Sequence, residues 1–223
     1  YELLNYYLDL MKSNKFNVID SFNEFYNPNE PILFEASQGT LLDRIYGIKP
    51  NTTYLDTTNN YAIELLKSVN NDNYSKIGLI RAFASRHGMG VLPTETKELN
   101  VEDNNQTCTY WNGSPRYGWF DAVLTRYSNT INNVDELYIS SIDQMSNYET
   151  IKICNSYLYS GEINEEFKNM FEYQIIEDKI YITDIKNNNG DISKYLYECN
   201  PVYIEINGWI KDVDRKSTRL NSS

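Results

Sequence analysis

The sequence predicts an α/β fold with a mostly parallel central sheet, flanking helices and a small antiparallel excursion. Three observations predict it. The apolar runs at 31–34 and 76–84 are continuous rather than alternating, the pattern of strands covered on both faces. Stretches with apolar residues at helical spacing lie before and between these runs. Residues 172–186 alternate apolar and polar in two short runs, which reads as an antiparallel pair.

Taken in order, residues 1–12 (Leu3, Leu4, Tyr7, Leu8, Leu10, Met11) and 18–26 carry the helical period and lead to a first buried strand, Pro31, Ile32, Leu33, Phe34. That strand empties into Glu35, Ala36, Ser37, Gln38 and Gly39. Small residues at such a strand end let backbone N–H groups approach an anion, and open α/β sheets hold ligands there. A turn marked by Gly47 and Pro50 follows, with the hydroxyls of Thr52, Thr53, Thr57 and Thr58 after it, so this stretch is a candidate phosphate loop. Residues 55–70 are expected to form a helix whose stripe of Tyr61, Ala62, Leu65, Leu66 and Val69 packs on the core. Residues 76–84 read as a central strand that delivers Ser85, Arg86, His87, Gly88, Met89 and Gly90. Polar, aperiodic residues 100–106 read as a mobile loop. A helix over 121–128 and strands over 136–142 and 148–157 follow. The last stretch, 199–209, reads as strand, turn and a buried Trp209.

Composition bounds the function. With 41% hydrophobic and 14% aromatic residues in 223, the chain has enough for a core. No run of about 18 apolar residues exists, so no membrane partner is expected. A formal charge of −11 and a pI near 4.6 repel polyanions at long range, which argues against nucleic acid. Mononucleotides stay allowed, because a few N–H groups and one or two arginines override the global field locally. Cys108, Cys154 and Cys199 are odd in number and share no metal or redox spacing, so they read as ordinary thiols in a reducing compartment. The Asn-x-Ser/Thr matches at Asn51, Asn73, Asn105 and Asn112 are what chance supplies in so Asn-rich a chain. The chain opens at Tyr1 without an initiator Met, inside a helical pattern, and residues 216–223 read as a non-native tail.

Five stretches in order resemble the adenylosuccinate synthetase family. F-E-A-S-Q-G-T-L-L-D at 34–43, with Gly47, Pro50, Thr53 and a Thr-Thr pair after it, is similar to the family's monophosphate loop, F-E-G-A-Q-G-T-L-L-D, G-T-Y-P-x-V-T-S-S-N. R-A-F-A-S-R-H-G-M-G-V-L-P-T-E at 81–95 resembles K-A-Y-T-T-R-V-G-S-G-P-F-P-T-E, with His87 in place of an apolar residue that lies near the purine in the family. N-G-S-P-R-Y-G-W-F-D at 112–121 stands where the family has G-R-P-R-R-C-G-W-x-D, an arginine loop closing over aspartate; Arg116 is the one arginine retained. I-S-S-I-D at 139–143 matches L-T-K-L-D, with Ser141 replacing the lysine, and P-V-Y-I-E-I-N-G-W at 201–209 resembles P-V-Y-E-E-L-P-G-W.

The resemblance implies that residues 1–215 are the C-terminal part of one such domain, with P-loop-related architecture. It implies a cytoplasmic, homodimeric carbon–nitrogen ligase in which GTP, with Mg²⁺, phosphorylates the 6-oxygen of IMP and aspartate displaces that phosphate, on the route to AMP. By the same resemblance IMP meets Gln38, Gly39, Leu42, Thr53, His87 and Gly88, with both the hydroxyl and the backbone N–H of Thr53 at the phosphate. Aspartate meets Gly113, Ser114 and Arg116, and GTP meets Arg116, Ser141, Ile142 and Asp143. The family's phosphate loop, catalytic aspartate, catalytic histidine and metal site are expected upstream of Tyr1, so no catalytic residue and no metal ligand is assigned to this chain. Two other readings stay open. One is a phage-type 2-aminoadenylosuccinate synthetase that couples aspartate to dGMP with GTP or ATP, favoured by Ser141 and the thinner arginine loop. The other is a non-catalytic nucleotide-binding paralogue. At single residues, Arg116 has the alternative of pairing with a surface acid, and His87 that of packing locally.

Overall fold

The structure is a computed structural model and describes residues 1–13, 19–101, 113–146, 148–186 and 190–209. The α/β class holds, with parallel strands and flanking helices around a mixed sheet. The chain divides into two units, residues 1–35 with 59–74 and residues 36–58 with 75–223.

The first unit carries α1 (Glu2–Lys12), α2 (Phe22–Phe25) and α3 (Asn60–Ser68). α1 forms as its period predicts, with none of its residues buried. The helix expected over 18–26 shrinks to the single turn of α2, because Tyr26 is already extended (φ −70, ψ 123); residue 18 lies outside the described residues. The buried strand expected at 31–34 does not form, and Leu33 is 85% exposed. A strand must pair its N–H and C=O groups, and none of the described strands pairs with this run. Phe34 instead sets its ring against Phe22, 5.9 Å between centroids. On α3 only Leu66 is buried, so the expected core stripe is corrected to one anchoring side chain.

In the second unit the single central strand expected over 76–84 is two strands with different partners. β1 (Ile77–Arg81) runs parallel to β5 (Glu136–Ser140), and β2 (Ala84–Arg86) runs antiparallel to β3 (Arg116–Gly118). The break lies at Ala82, whose N–H makes the last bond to Ser140 O at 2.9 Å, and at Phe83, whose ring turns into the core. Among the described residues β1 pairs on one side only and leaves Leu79 76% exposed, so it is not central there.

The larger sheet has five strands, β4 (Phe120–Asp121), β6 (Thr150–Tyr159), β7 (Phe171–Ile176), β8 (Lys179–Ile185) and β9 (Cys199–Asn207). β6 organises it. β9 lies antiparallel along β6 from Thr150 to Tyr159, while β4, in parallel, and β8, antiparallel, share the other edge of β6. β7 and β8 are the antiparallel excursion the alternation predicts, joined through Glu177 and Asp178 at φ 50 and 60, the twist a two-residue hairpin needs. α5 (Glu165–Met170) and α6 (Ser193–Leu196) flank this sheet, and Trp209 beyond β9 is 39% exposed, correcting the expectation of a buried Trp. Among the described residues the buried indole is Trp119, between β3 and β4.

α4 (Ala122–Asn132) extends four residues past the expected 128 and packs Val123, Leu124 and Tyr127 on β6 and β8. Its start is fixed by Asp121, whose Oδ1 accepts from Leu124 N at 3.0 Å, and its end by Asn133 in the left-handed region.

Candidate functional site

The loop 36–58 is built around one buried carboxylate. Asp43 is 1% exposed; its Oδ1 accepts the N–H of Ile45 at 2.7 Å and of Tyr46 at 3.0 Å, and its Oδ2 that of Thr57 at 2.8 Å. Three donors on one carboxylate close the loop on itself. Gly47 is required by the same packing, since a Cβ there would stand 2.4 Å from Asp43 O. The loop is held to the sheet through α4: Tyr127 Oη donates to Tyr46 O and Asn132 Nδ2 to Thr40 Oγ1, both at 2.7 Å, while Ile48 enters the core. A short 3-10 turn, Thr40–Leu42, begins at Gly39, whose carbonyl takes the Thr57 hydroxyl at 3.1 Å.

On this frame Gln38 and Gly39 are exposed, and Gln38 sits at φ 66, a strained position for a non-glycine residue of the kind that clusters at ligand sites. Leu42 and Thr53 are half-buried and bonded to each other, Thr53 N–H to Leu42 O at 2.8 Å. That bond corrects one expectation, because the Thr53 N–H is committed to the loop and only its hydroxyl is left for a ligand.

The second loop, His87 to Gly90, follows β2 and is gripped by two arginines that face each other across the β2–β3 pair. Arg86 Nε donates to Met89 O at 2.8 Å, and its Nη2 reaches back to Asn51 O at 3.3 Å, tying this loop to the first. Arg116 uses all five of its N–H groups: two on Glu95, at 3.0 and 2.9 Å, one on Gly88 O at 3.0 Å and two on Gly90 O at 2.9 Å. The sequence's alternative of an acid partner for Arg116 is thus met by Glu95, in the bidentate geometry that suits a guanidinium. Burial first, and then the charge of Arg116, hold the Arg86 pKa below the usual arginine range. Gly90, at φ 113, leaves room for the Arg86 guanidinium that a Cβ would strike at 2.3 Å. His87 is half-buried, and its enclosed Nε2 has no hydrogen-bond partner among the described residues, an arrangement that costs about 1–3 kcal/mol.

Gly113, at φ 64, and Ser114 are exposed on the approach to β3; Trp111 and Asn112 lie outside the described residues, as do 102–106 of the expected mobile loop and Cys108. Ser141, Ile142 and Asp143 stand beyond the C-terminal end of β5 rather than within it. Ser141 is left-handed at φ 58 and opens a 3-10 turn, Ile142–Met145, on which Ile142 and Asp143 are exposed. Ser140 Oγ donates to Ile80 O at 3.1 Å, so this turn is anchored to the end of β1. The structure therefore joins the loop of Gln38 to Thr53 with that of His87 and Gly88 and with Arg116 through direct bonds. The 141–143 turn is tied to β1 by the Ser140 bond, and Met145 of the same 3-10 turn joins the core cluster of Phe83 and Trp119. Sequence reasoning missed Arg86, Asp43 and Glu95 as parts of the site; the signal for Arg86 was a lone cation at a strand end before a glycine-rich turn.

Comparison with known proteins places these loops in context. The family model described as adenylosuccinate synthetase matches residues 1–221. The adenylosuccinate synthetase of Bacillus subtilis (strain 168) is 30% identical over 219 residues, 95% of this chain and 46% of that protein. That of Syntrophomonas wolfei subsp. wolfei is 33% identical over 192 residues, 84% of this chain and 40% of that protein. The structure of fully ligated adenylosuccinate synthetase from Plasmodium falciparum superposes with a TM-score of 0.61 at 18% identity, over 95% of this chain and 51% of that one, a likeness of fold alone. The chain spans less than half the length of these curated relatives.

Proposed function

The chain belongs to the adenylosuccinate synthetase family, and from that premise we propose that it carries the purine-monophosphate and aspartate subsites of a GTP-dependent carbon–nitrogen ligase joining aspartate to IMP. The observation that carries this reading is the Arg86 bond to Asn51 O. It sets the loop of Gln38, Gly39, Leu42 and Thr53 beside that of His87 and Gly88, while Arg116, close in sequence to Gly113 and Ser114, holds the second loop through Gly88 O and Gly90 O. A monophosphate lying between them has a side-chain amide and a hydroxyl for its polar atoms, and an amino-acid carboxylate has Gly113 and Ser114. Asp143, exposed at the end of the parallel pair, has the acceptors to read the N1–H and 2-amino group of guanine, with Ser141 and Ile142 beside it. The reading extends to a cytoplasmic homodimer with Mg²⁺ at the transferring phosphoryl group. The Mg²⁺ ligands of this reading are not assigned to the described residues, among which no three His, Cys, Asp or Glu side chains converge.

In the full-length protein carrying this chain, Gln38→Ala and Thr53→Ala are expected to raise the KM for IMP roughly tenfold to a hundredfold, the loss of one hydrogen bond to a charged or polar ligand group, and to leave the KM for aspartate nearly unchanged. Equal effects on both substrates would remove the assignment. A second reading, aspartate coupling to dGMP, is favoured by Ser141, which lacks the aliphatic stem of a lysine over the base. A higher kcat/KM for dGMP than for IMP would select it.

A further inference from the structure

Two arginines grip three successive carbonyls of one loop: Arg116 takes Gly88 O and Gly90 O, and Arg86 takes Met89 O. A trans peptide is planar, so each carbonyl turned toward a guanidinium turns the next N–H the opposite way. The N–H groups of Met89, Gly90 and Val91 therefore face away from the arginines, and among the described residues they donate to no backbone carbonyl. Positive φ at Gly88 (75) and Gly90 (113) is what allows successive N–H groups to converge into a concave anion-binding nest. A second observation points to a ligand. The Arg116 charge is answered by Glu95 at 2.9 Å, whereas among the described residues Arg86, half-buried beside it, bonds to the neutral carbonyls of Met89 and Asn51 and to no carboxylate. A cation without a carboxylate partner among the described residues is a local positive centre in a chain of net charge −11, and an anion held nearby would offset it.

We propose that the N–H groups of Met89, Gly90 and Val91 form an oxyanion subsite, with Arg86 and Arg116 as positioning residues that orient the peptide planes and supply the field. The ligand group is an anionic oxygen centre, brought by the phosphate of a monophosphate or by the carboxylate of an amino acid. The loop's neighbourhood to Asn51 and Thr53 rests on the same reading of the site as the proposed function, while the nest itself does not require a purine.

The test is to follow backbone amide resonances of the chain while adding inorganic phosphate, IMP and succinate separately. The amides of Met89, Gly90 and Val91 are expected to shift most, and affinity to fall about tenfold or more in Arg86→Gln and in Arg116→Lys, the latter keeping the charge but losing the fork. Shifts with phosphate and IMP but not succinate assign the subsite to phosphate, and the reverse assigns it to carboxylate. Phosphate shifts with IMP no tighter than phosphate would leave the subsite standing and remove the purine reading. IMP binding without movement of these three amides would remove the subsite and leave the proposed function. Absence of shifts with all three probes, or unchanged affinity in both variants, overturns the inference; the amide shifts of the unmutated chain decide it even if a variant fails to fold.

Discussion

Single residues here do more than their types announce. Arg116 stands out in the sequence because Arg is suited to carboxylates, but its five bonds to Glu95, Gly88 and Gly90 were not legible there, since three of those bonds go to main-chain oxygens brought near by a strand pairing. Asp121 is a sharper case. It lies at the junction of β4 and α4, is 5% exposed, and has Tyr157 Oη at 2.8 and 2.7 Å from its two oxygens. A phenol has one proton to give, so the second short contact is best met when the carboxyl itself holds a proton. Burial accordingly raises the Asp121 pKa from 3.8 to about 6, against the opposing bonds from Leu124 N–H and Tyr157. The folded state then binds this proton more tightly than the unfolded chain. Its stabilising contribution is complete below about pH 4 and is lost as pH rises through about 6, amounting to about 3 kcal/mol for a shift of about two units. Urea melts at pH 4.5 and pH 7 should show the unmutated chain losing stability relative to Asp121→Asn across that interval. Parallel pH profiles would refute the buried protonated form. A second buried polar atom, the orphan hydroxyl of Thr94 (0% exposed), leads to the opposite kind of expectation. Thr94→Val removes an unsatisfied group at constant shape and should leave the melting temperature equal or higher.

Elements were legible where the local period and the long-range partners agree. α1 and α4, β5, β6 and the β7–β8 pair appear as their patterns predict, because each carries its own period or turn residues. Residues 31–34 and 76–84 failed for one reason. A continuous apolar run says that a strand wants covering on both faces, and it does not say whether the covering partners lie in the same chain. The site loop was legible in its turn markers Gly47 and Pro50 and illegible in its centre, because Asp43 reads on paper as a surface acid and in space as the acceptor of three N–H groups. This gives the loop a specific weak point. Gly47→Ala forces a Cβ toward Asp43 O and Thr52 Cγ2, within 2.4 and 2.8 Å, and overpacking of this kind is expected to destabilise by about 1–3 kcal/mol. If the loop is one unit, Gly47→Ala should also weaken IMP binding although Gly47 is buried and not assigned to the ligand. A lower melting temperature with unchanged IMP affinity would show that the loop's packing and its binding residues are independent.

At the scale of the whole molecule, the β1–β5 pair is the least complete part. Parallel strands in α/β proteins are covered on both faces, and two strands alone are marginal in water. Here both outer edges of the pair are unpaired among the described residues, and Leu79 (76% exposed) and Tyr138 (53%) stand side by side in register. The curated relatives are more than twice as long as the part that this chain matches. The chain expressed as given is therefore expected to associate through this apolar pair, and sedimentation at rising concentration should show it, with Leu79→Lys and Tyr138→Lys together suppressing it by placing charge on the exposed face. The same chain is expected to turn over IMP, aspartate and GTP at no more than background rate, since phosphoryl transfer depends on positioned donors and a metal site. Adding the remaining length of a relative as a separate polypeptide supplies a direct check: restored turnover together with loss of self-association would show that the β1–β5 face is where the two parts meet. Turnover by the chain alone would show that the described loops carry chemistry as well as binding.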